Sequence, residues 1–213
     1  QAVGLHSEAS CFPSWPEIIW LYCITPPQTG GASTLCDGVE LWNALSAKTK
    51  NFFLLNPIRY ELAIPIGTKK HGKGRRPWMI NSLGTGNGFI NWETGTYHLT
   101  LQRFAVQEGR KSNQLCFANH LFVTIDSEPQ LIKRTMFNEK KIPKNIFKEI
   151  HRETDKLTKE HYWEKGDLLM LDNKRFLHGR RSYKENDPRD LVIIQSARAS
   201  FGYGSTTRNN YQE

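Results

Sequence analysis

Three side chains from opposite ends of this chain could share one metal ion: His6 and Glu8, separated by a single serine, and His178. Two imidazoles and a carboxylate on one face of an ion, with the opposite positions open, are the ligand set of a non-haem iron(II) centre. A lone His-x-Glu pair arises often by chance. An isolated histidine is more often a satisfied polar group than a ligand. The setting raises these odds. In an extended segment residues i and i+2 face the same way, so His6 and Glu8 can converge on one ion. The run Gly166–Leu171 reads as a buried strand, and Asp172-Asn173 opens the turn that delivers His178 to the strand's open end.

The elements that must position these groups are mostly short strands. Apolar or alternating runs bounded by Gly, Pro and Asn recur at Ile18–Ile24, Phe52–Leu55, Tyr60–Ile66, Tyr97–Phe104, Gln114–Phe122, Gly166–Leu171 and Leu191–Ala197. Many short strands with turn signals between them predict a sandwich or barrel. Two helices interrupt the pattern. Asp37–Thr49 follows a capping aspartate with Val39, Leu41, Trp42 and Leu45 near helical spacing. Pro143–His161 sets Ile146, Phe147, Ile150 and Leu157 on one side and charges on the other.

Bulk composition narrows the class. A chain of 213 residues can bury roughly 70% of its unfolded surface in one domain. No apolar run approaches the ~20 residues of a membrane span, and Gln1-Ala2-Val3-Gly4 carries no signal-peptide pattern. A cytoplasmic protein without a membrane partner is expected. The net charge of +8 is spread along the chain, apart from a cluster at Lys69–Arg76, and no nucleic-acid motif accompanies it. That cluster reads as a solvated loop or as a mouth attracting an anionic or carrier-linked substrate. Cys11, Cys23, Cys36 and Cys116 are irregularly spaced and lack any Cys-x-x-Cys pair, so buried thiols are expected rather than zinc ligands or disulfides.

Four blocks in order resemble the taurine dioxygenase and clavaminate synthase-like family of iron(II)/2-oxoglutarate-dependent oxygenases. They are Leu5-His6-Ser7-Glu8 with the following aromatic stretch, Gly30-Gly31-Ala32-Ser33-Thr34 before a helix, Ala105 through Phe122, and Trp163 through Arg180 with Tyr183 and Arg189. The resemblance runs from about residue 5 to 198. It implies a mainly β fold with flanking helices around a double-stranded β-helix, or jelly-roll, core. It implies one oxygenase domain over 1–213, with 67–96 a substrate-side insert or lid. His6 stands so near Gln1 that the family's amino-terminal flank is expected to be missing, the chain being a fragment or a processed form.

Carried over by position, the resemblance implies iron(II) held by His6, Glu8 and His178, with 2-oxoglutarate and dioxygen as cosubstrates. Ser33, or its neighbour Thr34, falls where the family binds 2-oxoglutarate through a hydroxyl. Arg189 falls where the family keeps a guanidinium, whose planar fork matches the far carboxylate of 2-oxoglutarate better than a lysine point charge. A surface ion pair with Asp187 or Asp190 is the plainer reading of Arg189. Some relatives carry a second arginine four residues on, where this chain has Ile193; Arg198 is the nearest substitute. Glu8 itself argues against halogenation, because halogenating relatives replace that carboxylate with a small residue.

The implied reaction converts 2-oxoglutarate to succinate while an unactivated C–H bond of a small amino-acid-like or specialised metabolite, free or carrier-linked, is oxidised. The outcome is hydroxylation, desaturation or cyclisation. Substrate contacts are expected from the 67–96 stretch, with Trp78 and Trp92 as candidates beside the plainer reading of both as packing residues. Two other classes compete: a cupin-like jelly-roll binding protein without chemistry, and a zinc hydrolase built on the same three ligands.

Overall fold

The computed structural model describes residues 1–66, 87–109, 114–123, 131–136 and 138–198. The chain weaves two antiparallel sheets by crossing between them at almost every step. Strand β1 (Val3–His6) belongs to the first sheet, β2 (Ile18–Thr25) to the second and β3 (Ser33–Asp37) to the first again. A long middle region follows. The alternation then resumes with β10 (Lys159–His161), β11 (Leu168–Asp172), β12 (Phe176–Arg180) and β13 (Asp190–Ser196). The first sheet has the order β1-β12-β3-β10 and the second β11-β2-β13. This rolled pairing of early strands with late ones is the jelly roll expected from the sequence.

Pleat alternation divides each sheet into two faces. In the first, Leu35 and Phe176 pack with Ile19, Leu21, Cys23 and Leu171 of the second, forming a core between the sheets with Trp163. The opposite face of the same sheet carries Cys36 and Leu177, cross-strand partners that are fully buried in a second, larger core. That core is filled by the middle region: α1 (Gly38–Ala44), α2 (Ala47–Leu55), β4 (Ile58–Pro65), β5 (Asn87–Asn91), β6 (Thr96–Arg103), β7 (Val106–Glu108), β8 (Leu115–Phe117), β9 (Leu131–Met136) and α3 (Lys144–Leu157). A sheet of order β5-β6-β4-β9 and the β7-β8 pair belong to this region. Close packing is visible at Gly179, where a Cβ would come within 2.6 Å of the Val3 carbonyl oxygen.

Four sequence expectations change here. Asp37 caps α1 as anticipated, accepting from the Val39 amide at 2.8 Å, but the helix stops at Ala44. Ser46 adopts an extended conformation and caps a new helix through the Thr49 amide, with Glu149 of α3 accepting from the Ser46 amide and the Thr49 hydroxyl. Phe52–Leu55, expected as a strand, is therefore the end of α2. A four-residue apolar run carries no period that separates the two states. The long helix ends at Leu157, and Lys159–His161 turns away to pair with β3. Finally, only Leu115–Phe117 of the expected Gln114–Phe122 strand is extended and paired.

Candidate metal centre

His6 and His178 face one another across the β1–β12 pair, as register partners whose rings lie 4.4 Å apart. His178 shares its face with Leu35 and Phe176, so both imidazoles point into the space between the two sheets. The Nε2 atoms of His6 and His178 each stand 3.5 Å from the same Glu8 oxygen, Oε2. That separation is too long for a good hydrogen bond. It suits three atoms arranged about a common point at metal-ligand distances of roughly 2.0–2.2 Å. Among the described residues this is the group of His, Cys, Asp and Glu whose ligand atoms come within 4.8 Å of one another.

The protonation states fit a cation. His6 Nδ1 contacts the Gly4 carbonyl at 2.9 Å, which places the proton on Nδ1 and leaves the Nε2 lone pair facing Glu8. Burial pushes the His178 imidazole down to about 4, so it is neutral at pH 7. Burial opposes ionisation of Glu8, but the two histidines beside it outweigh this and hold its carboxyl well below the usual range. A neutral imidazole and an ionised carboxylate are the forms that bind a metal. The ring of His120, buried behind His6, meets it edge-on at 5.1 Å.

Glu8 does not reach this point by strand alternation alone. β1 ends at His6, and Glu8 lies in the turn beyond it. The turn is held from behind. The Ser7 amide donates to the Asn119 carbonyl at 2.9 Å, the Glu8 amide donates to Asn173 Oδ1 at 2.7 Å, and Asn173 Nδ2 donates to the Glu8 carbonyl at 2.9 Å. From the front, Gln195 Nε2 donates to the second Glu8 oxygen, Oε1, at 3.3 Å. Sequence reading took Asn173 only as a turn former and passed over Gln195. Parity with Leu191, which packs between the sheets, was the available signal for Gln195.

The expected cosubstrate residues separate into two groups. Ser33 is register partner of both Arg180 and His161, on the face that carries His178. Its buried oxygen accepts from Trp163 Nε1 at 3.0 Å, so its own hydroxyl proton is directed elsewhere. Thr34 points to the other face, where it lines a cavity of about 220 Å³ with His151 and Thr154 of α3. Arg189 precedes β13, half-buried, with Nε donating to the Gly31 carbonyl at 3.3 Å and its guanidinium 5.6 Å from the Tyr183 ring centre. Gly30 and Gly31 both have positive φ (70° and 66°), and this left-handed pair presents that carbonyl. The Asp187 carboxylate accepts from the Gln28 and Thr29 amides, and the Arg189 amide donates to the Asp187 carbonyl at 2.7 Å.

Of the substrate-side candidates, Trp92 is exposed in the turn between β5 and β6, and Arg198 is exposed just past β13. Trp78, the Lys69–Arg76 cluster and most of the expected lid lie outside the described residues; 87–96 forms β5, a turn and the start of β6. Ile193 lies between Leu191 and Gln195 on their face of β13 and stays accessible. All four cysteines are buried and free, and burial raises the Cys36 thiol to about 12. No helix among the described residues is long and apolar enough to cross a membrane.

A family model described as taurine catabolism dioxygenase TauD, TfdA family matches residues 1–195. The 3-((Z)-2-isocyanoethenyl)-1H-indole synthase of Fischerella ambigua (strain UTEX 1903) is 25% identical over 202 residues, covering 90% of this chain. The chain spans 62% of that curated relative's length. Among solved structures, AAD-2 in complex with Mn(II) and N-oxalylglycine matches with a TM-score of 0.57 at 15% identity, over 90% of this chain and 67% of that one. The PvcB protein from Pseudomonas aeruginosa matches with a TM-score of 0.56 at 15% identity, over 92% and 56%. These two likenesses establish the fold.

Proposed function

The chain belongs to the taurine catabolism dioxygenase TauD, TfdA family, and from that premise we propose that the protein is an iron(II)- and 2-oxoglutarate-dependent dioxygenase acting on a small amino-acid-like or specialised metabolite. The observation that carries this reading is the convergence of His6, Glu8 and His178 on one point between the sheets. Iron(II) bound there, with 2-oxoglutarate and dioxygen, supplies an oxidant able to take hydrogen from an unactivated C–H bond, releasing succinate and carbon dioxide.

The chain's own groups bind, orient and exclude water. Gly4 holds the His6 ring so that Nε2 is the ligand atom, and burial keeps His178 neutral at the same task. Arg189 offers its remaining N–H groups as a fork to the far carboxylate of 2-oxoglutarate. Its Nε is already fixed on Gly31, which restricts the approach of that fork. Ser33, with its oxygen occupied by Trp163, directs its proton to the same carboxylate. Leu35 and Phe176 give the inner wall an apolar surface that keeps bulk water from the reacting groups. On the substrate side, Ile193 and Gln195 offer an apolar contact and an amide instead of a second guanidinium, so a substrate acid group is not gripped there. Trp92 and Arg198 are candidates for contacts farther out.

The Fischerella relative is named for an indole bearing an alkene, which supports desaturation as well as hydroxylation among the outcomes. The substrate is free or carrier-linked, and the cytoplasm is the proposed compartment. Anaerobic titration tests the reading. Iron(II) plus 2-oxoglutarate should give a weak visible charge-transfer band, and succinate should form when air is admitted. A chain that binds iron without the band and without succinate is a binding protein on the same fold; one active with zinc alone is a hydrolase.

A further inference from the structure

Asn173 has no exposed surface, and it lies in the turn between β11 and β12, outside both strands. Its side chain nevertheless uses its full bonding capacity on a short stretch near the other end of the chain. Nδ2 donates to the carbonyls of Glu8 at 2.9 Å and Pro16 at 2.8 Å, while Oδ1 accepts from the Glu8 amide at 2.7 Å. Oδ1 also lies 3.2 Å from the Ser7 hydroxyl, which donates at 2.5 Å to the Asn173 carbonyl. The Asn173 amide in turn donates to the Glu17 carbonyl. Trp15 Nε1 completes the cluster by donating to Ser7 Oγ at 2.8 Å, its ring lying 3.5 Å below the Lys174 ammonium.

The pattern has a physical meaning. β1 loses its ladder partner after His6, at the residue before Glu8 must turn inward. The Asn173 carboxamide then pairs with both the N–H and the C=O of Glu8, as a neighbouring strand would. Holding both backbone groups of one residue fixes the direction of its Cα–Cβ bond. For Glu8 that direction decides whether Oε2 arrives between the two Nε2 atoms. A carboxamide supplies both the donor and the acceptor, whereas aspartate has the acceptor but no donor, and leucine has the shape but neither.

We infer that Asn173 is a positioning residue for the metal centre, acting through the backbone of Glu8 to aim its carboxylate; this rests on the proposed metal-binding reading of His6, Glu8 and His178. Outer groups that orient a ligand typically change metal affinity 10–100-fold when removed. Because Asn173 works through Glu8, its effect must depend on the Glu8 carboxylate being present.

The test is a double-mutant cycle read by Co(II) binding, since two imidazoles alone still hold Co(II) measurably and its visible spectrum reports the ligand set. Asn173→Ala in the parent chain should weaken Co(II) at least tenfold and shift the spectrum toward that of Glu8→Ala. In the Glu8→Ala background the same change should alter affinity less than twofold. Should Asn173→Ala fail to fold, the near-isosteric Asn173→Asp is carried through the same cycle, with urea unfolding of the metal-free protein confirming its fold. Equal losses in both backgrounds, or no loss in the parent, overturn the inference while leaving the metal site standing. Co(II) binding unchanged by Glu8→Ala overturns the metal reading itself, and the inference with it.

Discussion

The two sheets of the roll are built from similar short apolar strands and live in different surroundings. The β1-β12-β3-β10 sheet is covered on both faces, by the opposing sheet on one side and by α1, α3 and the middle strands on the other. Among the described residues the β11-β2-β13 sheet is covered on its inner face alone. Its outer face shows Tyr22, Ile24, Leu168, Met170, Val192 and Ile194 to solvent, Ile194 being 58% exposed. Both histidines of the proposed metal site belong to the doubly covered sheet. The other sheet contributes Gln195, which donates to Glu8, and Arg189 stands just before its strand β13. Ligands that must stay within tenths of an ångström are set where packing is tight on every side, and groups that meet exchangeable molecules are set where it is not.

The largest expected break in this comparison is in stability. Leu177→Ala, on the buried outer face of the first sheet, should cost about 3 kcal/mol in urea unfolding. Ile194→Ala, on the outer face of the second, should cost under about 1 kcal/mol. Similar losses at the two positions would dissolve the distinction. Next in size, Arg189→Leu should weaken 2-oxoglutarate about 100-fold while iron(II) affinity stays within about twofold, as read by anaerobic equilibrium titration. If iron binding fell equally, the second sheet would belong to the metal site as fully as the first.

Acid should act through the first sheet. His178 has a folded value of about 4 against 6.5 in the open chain, so below pH 6.5 the unfolded state binds the proton first. This contribution is present in full above pH 6.5, is lost as pH falls toward 4, and changes no further below that. Melting of the metal-free protein at pH 7 and pH 5 should show the fall, and His178→Leu should flatten it. The smallest effect is expected from Gln195→Leu. Loss of its bond to the exposed side of Glu8 should lower iron affinity only a few-fold, because Asn173 still holds the backbone.

Sequence pattern made the second sheet easier to read than the first. β2 and β13 are runs rich in β-branched and aromatic residues and β11 is a run of Leu and Met, and each is anticipated within about two residues. β1, β10 and β12 are three to five residues long and carry His, Glu, Lys or Gly in place of an apolar period. Their strand character comes from long-range pairing that no local window contains. The site shows the same division. His6, Glu8 and His178 announce themselves by residue type and spacing. Asn173 does not, because an Asp-Asn pair before a Lys-Arg step reads equally well as a turn, and its partners lie 165 residues away. Ser33 and Thr34 are indistinguishable in sequence, and only the register of β3 against β12 separates their faces.

The pairing of His6 with His178 also dictates timing. In the order of synthesis His6 precedes His178, with β2 through β11 between them. Until β12 is made, β1 lacks the strand it pairs with among the described residues. Closing so long a loop is slow, and it comes after the helices and local hairpins can form. Assembly of the proposed metal site is therefore a late event in folding, because it waits for β12 to be made and to pair with β1.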